Sequence, residues 1–125
     1  MEDALHDWSE VVAFFEGLCH DHPQFAPLFN LAKLIAHSGY AHDLWPWTSM
    51  HELCVSQRSS ERRHLDPHLR IRLNGQGAVE FRYVDTADTK RQWSREERPE
   101  QAFARFESFC AQLNWFGGLR RGAAS

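Results

Sequence analysis

The chain has 125 residues, 42% hydrophobic and 25% charged, with a formal charge of −3. That length suits one domain with one core, and the composition excludes disordered, low-complexity and fibrous classes. The charge is uneven: Met1 to Glu52 holds eight carboxylates against the single base Lys33, so this part stands at −7 and the rest at +4.

Either the two parts cancel where they meet in the fold, or the surface carries two regions of opposite sign, the acidic one suited to a basic partner. No stretch approaches the ~18 consecutive apolar residues of a membrane span. The acidic opening MEDALHDW lacks the basic start and apolar run of a secretory signal. Cys19, Cys54 and Cys110 are odd in number, far apart and free of any CxxC pair, which suits reduced thiols rather than a disulfide frame. A cytoplasmic protein with no membrane partner is expected.

Along the chain, Asp7 followed by Glu10 is the start signal of a capping box, with Asp in place of Ser or Thr. Trp8, Val12, Phe15 and Cys19 then recur at helical spacing, with Val11, Phe14 and Leu18 widening the stripe. The pattern predicts a helix from Trp8 to His20, stopped by Pro23. Pro27 in a first turn and Gly39 at a left-handed C-terminal position bound a second helix, with Leu28, Leu31, Leu34 and Ile35 as its apolar side. Two helices joined this closely pack as an antiparallel pair.

The stretch HSGYAHDLWPWTSMHELC, His37 to Cys54, follows as an aromatic loop running into strand-like sequence. In MHELCVSQ the period falls to two, placing His51, Leu53 and Val55 on one face and Met50, Glu52 and Cys54 on the other. HLRIRL and AVEFRYV alternate more clearly, and NGQG between them supplies the residues of a tight hairpin. Its outward face carries Arg70, Arg72, Glu80 and Arg82. DTADTK reads as a polar turn and RQWSRE as a short fourth edge strand.

Pro99 opens a last helix in which Ala102, Phe106, Phe109 and Leu113 repeat at helical spacing beside Phe103 and Cys110, with Gly117 closing it. Residues 1–116 are therefore expected to form a single α+β domain, and 117–125 a flexible tail. The architecture is an N-terminal antiparallel helix pair, a three- to four-stranded antiparallel meander, and a C-terminal helix packed on one sheet face.

Sequence offers little for catalysis. Cys19 and His20 are adjacent, but adjacent helical residues point about 100° apart, and Cys19 lies on the apolar stripe. There is no GxSxG, no glycine-rich phosphate loop and no pair of carboxylates set for acid–base work. Metal binding is the alternative chemistry: Cys19, His20, Asp21 and His22 fall within four residues, and His37 and His42 are near in sequence. No zinc-ligand spacing is present, and histidines at a helix C-terminus serve equally well as caps.

The first reading is thus a non-catalytic protein-binding domain without a cofactor. One concrete form is an intracellular inhibitor or immunity protein that neutralises a basic partner enzyme, such as a nuclease toxin, by presenting carboxylates where the enzyme expects phosphates. The expected contact residues are Asp7, Glu10, Glu16, Tyr40, Asp43, Trp45 and Trp47, because acidic groups steer association and large rings dominate binding hot spots. Trp45 and Trp47 would otherwise fold back over the helix–sheet junction.

A metal-binding module or metal-dependent enzyme using the N-terminal histidines is the alternative. A regulatory nucleic-acid-binding domain using Arg58, Arg62, Arg63, Arg70 and Arg72 is the second, opposed by the interleaved Glu96, Glu97, Glu100 and Glu107. An edge strand or a tryptophan patch would also serve a homodimer.

Overall fold

A computed structural model describes residues 7–57, 67–85, 88–113 and 115. The segment from Gly117 onward lies outside the described residues, as do Arg58, Arg62 and Arg63. The architecture is α+β, with helices α1 (Trp8–Asp21) and α2 (Ala26–Ala36), strands β1 (Leu44–Ser49), β2 (Glu52–Gln57), β3 (His68–Leu73), β4 (Val79–Val84) and β5 (Trp93–Glu97), and helix α3 (Ala102–Gln112). The strands form an open antiparallel meander in chain order. Five strands replace the expected three or four, because LWPWTS pairs along its whole length with β2. Its proline is tolerated because β1 is an edge strand, where a missing N–H need not break a ladder on both sides.

Alternation along the strands sorts the sheet into two faces. One row runs Leu53, Ile71 and Phe81 across β2, β3 and β4, and the next runs Val55, Leu69 and Tyr83. All six are buried, in one core with Val11 and Phe15 of α1, Leu28, Leu31 and Ile35 of α2, and Phe106 and Phe109 of α3. The three helices therefore cover a single sheet face. Trp8 fastens α1 to the sheet edge, its indole Nε1 donating to the Leu44 carbonyl at 3.3 Å. Phe109 packs edge-on against Phe81 with centroids 5.2 Å apart, and Trp93 closes the same corner at 4.6 Å from Phe109.

Local signals act mostly as read. Asp7 caps α1, its Oδ1 accepting from the Ser9 amide at 3.1 Å, but Glu10 returns no bond, so the capping box is half made. Gly39 does not take the left-handed conformation; α2 ends at His37 with φ −93°, and the chain passes into a short 3₁₀ turn, Gly39–Asp43, capped by Ser38. In the β3–β4 hairpin Asn74 Oδ1 accepts from the amides of Gln76 and Ala78, and only Gly77 has positive φ, at 83°.

The strand expected from Met50 instead begins at Glu52, because Met50 and His51 form the β1–β2 turn. Their φ values, 51° and 69°, are those of a two-residue type I′ turn, which normally selects Asn-Gly. The His51 ring is held 5.7 Å from Phe25 and 6.4 Å from Phe14, while Met50 is 90% exposed. A left-handed residue other than Gly or Asn costs roughly 1–2 kcal/mol. Met50→Asn is accordingly expected to raise stability by about 1 kcal/mol, seen as a higher denaturant midpoint at unchanged slope. Phe81→Ala, which empties the centre of the core, should instead cost about 3–5 kcal/mol.

Candidate functional site

The acidic half of the chain becomes an acidic helix surface. Asp7, Glu10, Glu16 and Asp21 are all exposed on α1 or at its cap, because Trp8, Val11 and Phe15 turn inward and leave the opposite side to water. Among the described residues none of these four carboxylates forms an ion pair. Apart from His20, α1 carries no base, and the one lysine of α2, Lys33, lies over the Phe29 ring, 4.8 Å from its centroid. The two parts of the chain do not cancel here. Glu52, by contrast, is paired to the later arginines, through Arg70 at 2.9 Å and Arg72 at 3.9 Å.

The aromatic stretch splits between the two sides of the sheet. Tyr40 turns to the helices, its hydroxyl donating to Glu107 Oε2 of α3 at 2.7 Å with its ring 6.5 Å from Phe103. Asp43, half-buried, ends the turn that carries Tyr40. Trp45 and Trp47 lie opposite Ser56 and Cys54 in register, and therefore on the sheet face away from the helices. They do not cover the helix–sheet junction. Both are half-buried, Trp47 packs on His68 with centroids 5.2 Å apart, and Cys54 and Ser56 between them are fully buried. The expected contact set is thus divided: Asp7, Glu10 and Glu16 on the helix layer, Tyr40 in a helix seam, and the two tryptophans on the far face.

That far face also carries the arginines, mostly neutralised in place. Arg70 pairs with Glu52, and Arg72 with Glu80 through its Nε. Arg82 faces Arg70 across β3 and β4 and forms no ion pair among the described residues. With Glu52, Glu80 and Glu96 among them, Arg70, Arg72 and Arg82 do not form the net basic face that nucleic acid requires.

The Arg72 hydrogen bond, helped by Ser94 Oγ and by Arg82, holds the Glu80 carboxyl below the ordinary glutamate range against the opposing effect of burial. Because the folded value is the lower one, the contribution is complete above that range and is lost as pH falls through the folded value. In Arg72→Gln the Glu80 carboxyl should titrate at higher pH, and stability should fall less steeply below about pH 5. Carboxyl-carbon NMR titration with denaturant melts checks both.

Thiol and imidazole chemistry is dispersed. Burial pushes the Cys54 thiol up to about 12, Arg70 opposing, and raises Cys110 still further. Neither supplies a thiolate near neutrality. Cys19 is half-buried on α1. His22 packs on Phe25 at 6.4 Å and His51 on the same ring, so both are taken up in aromatic contacts. Among the described residues no three of His, Cys, Asp or Glu converge as a metal cage would require.

Two residues gain importance that the pattern alone did not assign. Leu34, counted with the apolar side of α2, is 51% exposed. It sits roughly 110° from the centre of the buried stripe Leu28, Leu31, Ala32 and Ile35 at 100° per residue. Glu100, counted above among the acids interleaved with the later arginines, stands exposed beside it on a cleft. Trp93 and Trp115, by contrast, are spent in packing.

Compared with family models, with curated proteins and with solved structures, the chain finds no match. No helix among the described residues is long and apolar enough to cross a membrane. A thiol reagent should label Cys19 in the native protein and reach Cys54 and Cys110 only in denaturant, as counted by mass spectrometry.

Proposed function

We propose that this domain is a non-catalytic protein-binding module that docks its acidic helix layer on a basic partner, in the manner of an intracellular inhibitor or immunity protein. One observation carries the reading: Asp7, Glu10, Glu16 and Asp21 are exposed together on α1 with no ion pair among the described residues. The exposed carboxylates of α1 have no base on the helix but His20, and their summed field steers a basic protein towards it. Arg70 and Arg72 of the sheet are paired with Glu52 and Glu80, and the sheet face that carries them points away from α1.

Trp45 and Trp47 would not share that contact, since they occupy the opposite sheet face. On this reading the contact lies on the helices and does not include the tryptophans. Asp7 is a poor residue for a test because it also caps α1, and its loss alone costs about 1 kcal/mol.

The informative variant is Glu10→Lys with Glu16→Lys and Asp21→Lys. A partner captured from host lysate and identified by mass spectrometry should associate at least about tenfold more slowly with it at low salt, and with a flatter salt dependence. An on-rate equal to that of the unaltered domain would remove the acidic layer from the interface.

A further inference from the structure

The asparagines of the chain are Asn30, Asn74 and Asn114, and Asn74 alone precedes a glycine. In that dipeptide the side-chain amide is open to attack by the next backbone nitrogen, because glycine puts no Cβ in the way. The turn itself does not require Gly75. Unlike Gly77 it is not left-handed, and nothing stands within 4 Å of where its Cβ would lie. Gly75, Gln76 and Gly77 are exposed, and the Gly75 N–H forms no hydrogen bond among the described residues. The attacking nitrogen is therefore untied and open to solvent base.

The group it attacks is held from two sides. Asn74 Oδ1 accepts from the amides of Gln76 and Ala78 at 2.9 and 3.0 Å, and Nδ2 donates to Glu96 Oε2 of β5 at 2.7 Å. Two N–H groups on the carbonyl oxygen stabilise the oxyanion that forms on attack. The Glu96 bond works against it, since it fixes the amide and its negative charge disfavours loss of the Gly75 amide proton.

We propose that Asn74 is a site of spontaneous deamidation, restrained by Glu96, whose conversion to an acid unties β5 from the β3–β4 hairpin. Hydroxide removes the Gly75 amide proton and the nitrogen attacks Asn74 Cγ. The new C–N bond forms, the bond to Nδ2 breaks, and that nitrogen takes a proton from water and leaves as ammonia. Water then opens the cyclic imide. Cleavage at Cγ gives aspartate, and cleavage at the backbone carbonyl gives isoaspartate, with the main chain rerouted through the side chain. No electrons are gained or lost.

Either product loses the donor to Glu96. Aspartate sets a second carboxylate against it, beside Glu80, which Arg72 already engages. Isoaspartate lengthens the turn and makes a free carboxylate of the Asn74 carbonyl that accepts from Gly77. This site is independent of the protein-binding reading above.

The test keeps the full chain in warm alkaline buffer and follows the tryptic peptide Leu73–Arg82 by fragmentation mass spectrometry. Asn74 is expected to lose its amide, giving paired aspartate and isoaspartate products, while Asn30 and Asn114 keep theirs. Gly75→Ala, which the open turn accommodates, should slow the conversion at least about tenfold, and Glu96→Ala should speed it about threefold. Asn74→Asp should lower the denaturant midpoint, and adding Glu96→Gln should recover it, because the glutamine amide then donates to the acid.

An Asn74 amide that lasts as long as those of Asn30 and Asn114, or an undiminished rate in Gly75→Ala, would overturn the site. Slower conversion in Glu96→Ala would overturn the restraint. An unchanged midpoint in Asn74→Asp would overturn the untying of β5.

Discussion

The structure depends on one constraint: the inner face of a five-stranded sheet must be sealed by three helices. The row Leu53, Ile71 and Phe81 shares one core with Phe15, Phe106 and Phe109, and Phe109 meets Phe81 edge-on. With a side-chain period of two, a one-residue slip would turn Cys54 inward on β2, Arg70 on β3 or Arg82 on β4, and slips of β3 and β4 together would turn in both arginines. Burying two guanidinium groups under helices without partners is prohibitively costly, so the register is fixed by what must stay out as firmly as by what must go in.

The same alternation decides where charge ends up. Because the arginines of β3 and β4 are forced to the far face, Arg70 and Arg72 meet the glutamates of neighbouring strands there and are paired locally. The carboxylates of α1 are separated from them by the full thickness of the core. An imbalance along the chain therefore persists as an imbalance across the molecule, with a charged helix layer on one side and a self-compensated ladder on the other. The field of unpaired like charges reaches further from the surface than that of paired ones.

Much of this was legible from short-range pattern. The α1 stripe, the β3–β4 hairpin with its Asn and Gly, and the α3 repeat each rest on local periodicity and turn chemistry, and each forms close to the expected residues. β1 was not legible because Pro46 interrupts its alternation, and its strand conformation depends on β2 lying alongside. The Met50–His51 turn was hidden for a similar reason. Neither residue favours positive φ, and the hairpin closes around them because the paired strands and the Phe14–Phe25 contacts to His51 hold it.

The sequence by itself determined the α+β class, the helix starts, the central hairpin, the outward arginines and the excess of acid in the first half. These follow from spacing within a few residues. Tertiary structure alone decided that Trp45 and Trp47 stand on the far sheet face, that Tyr40 is tied to Glu107, that Leu34 is half in solvent, and that the acids of α1 form no ion pair among the described residues. Those outcomes turn on which elements pack against which, and residues distant in the chain set that through shared burial, which no local period records.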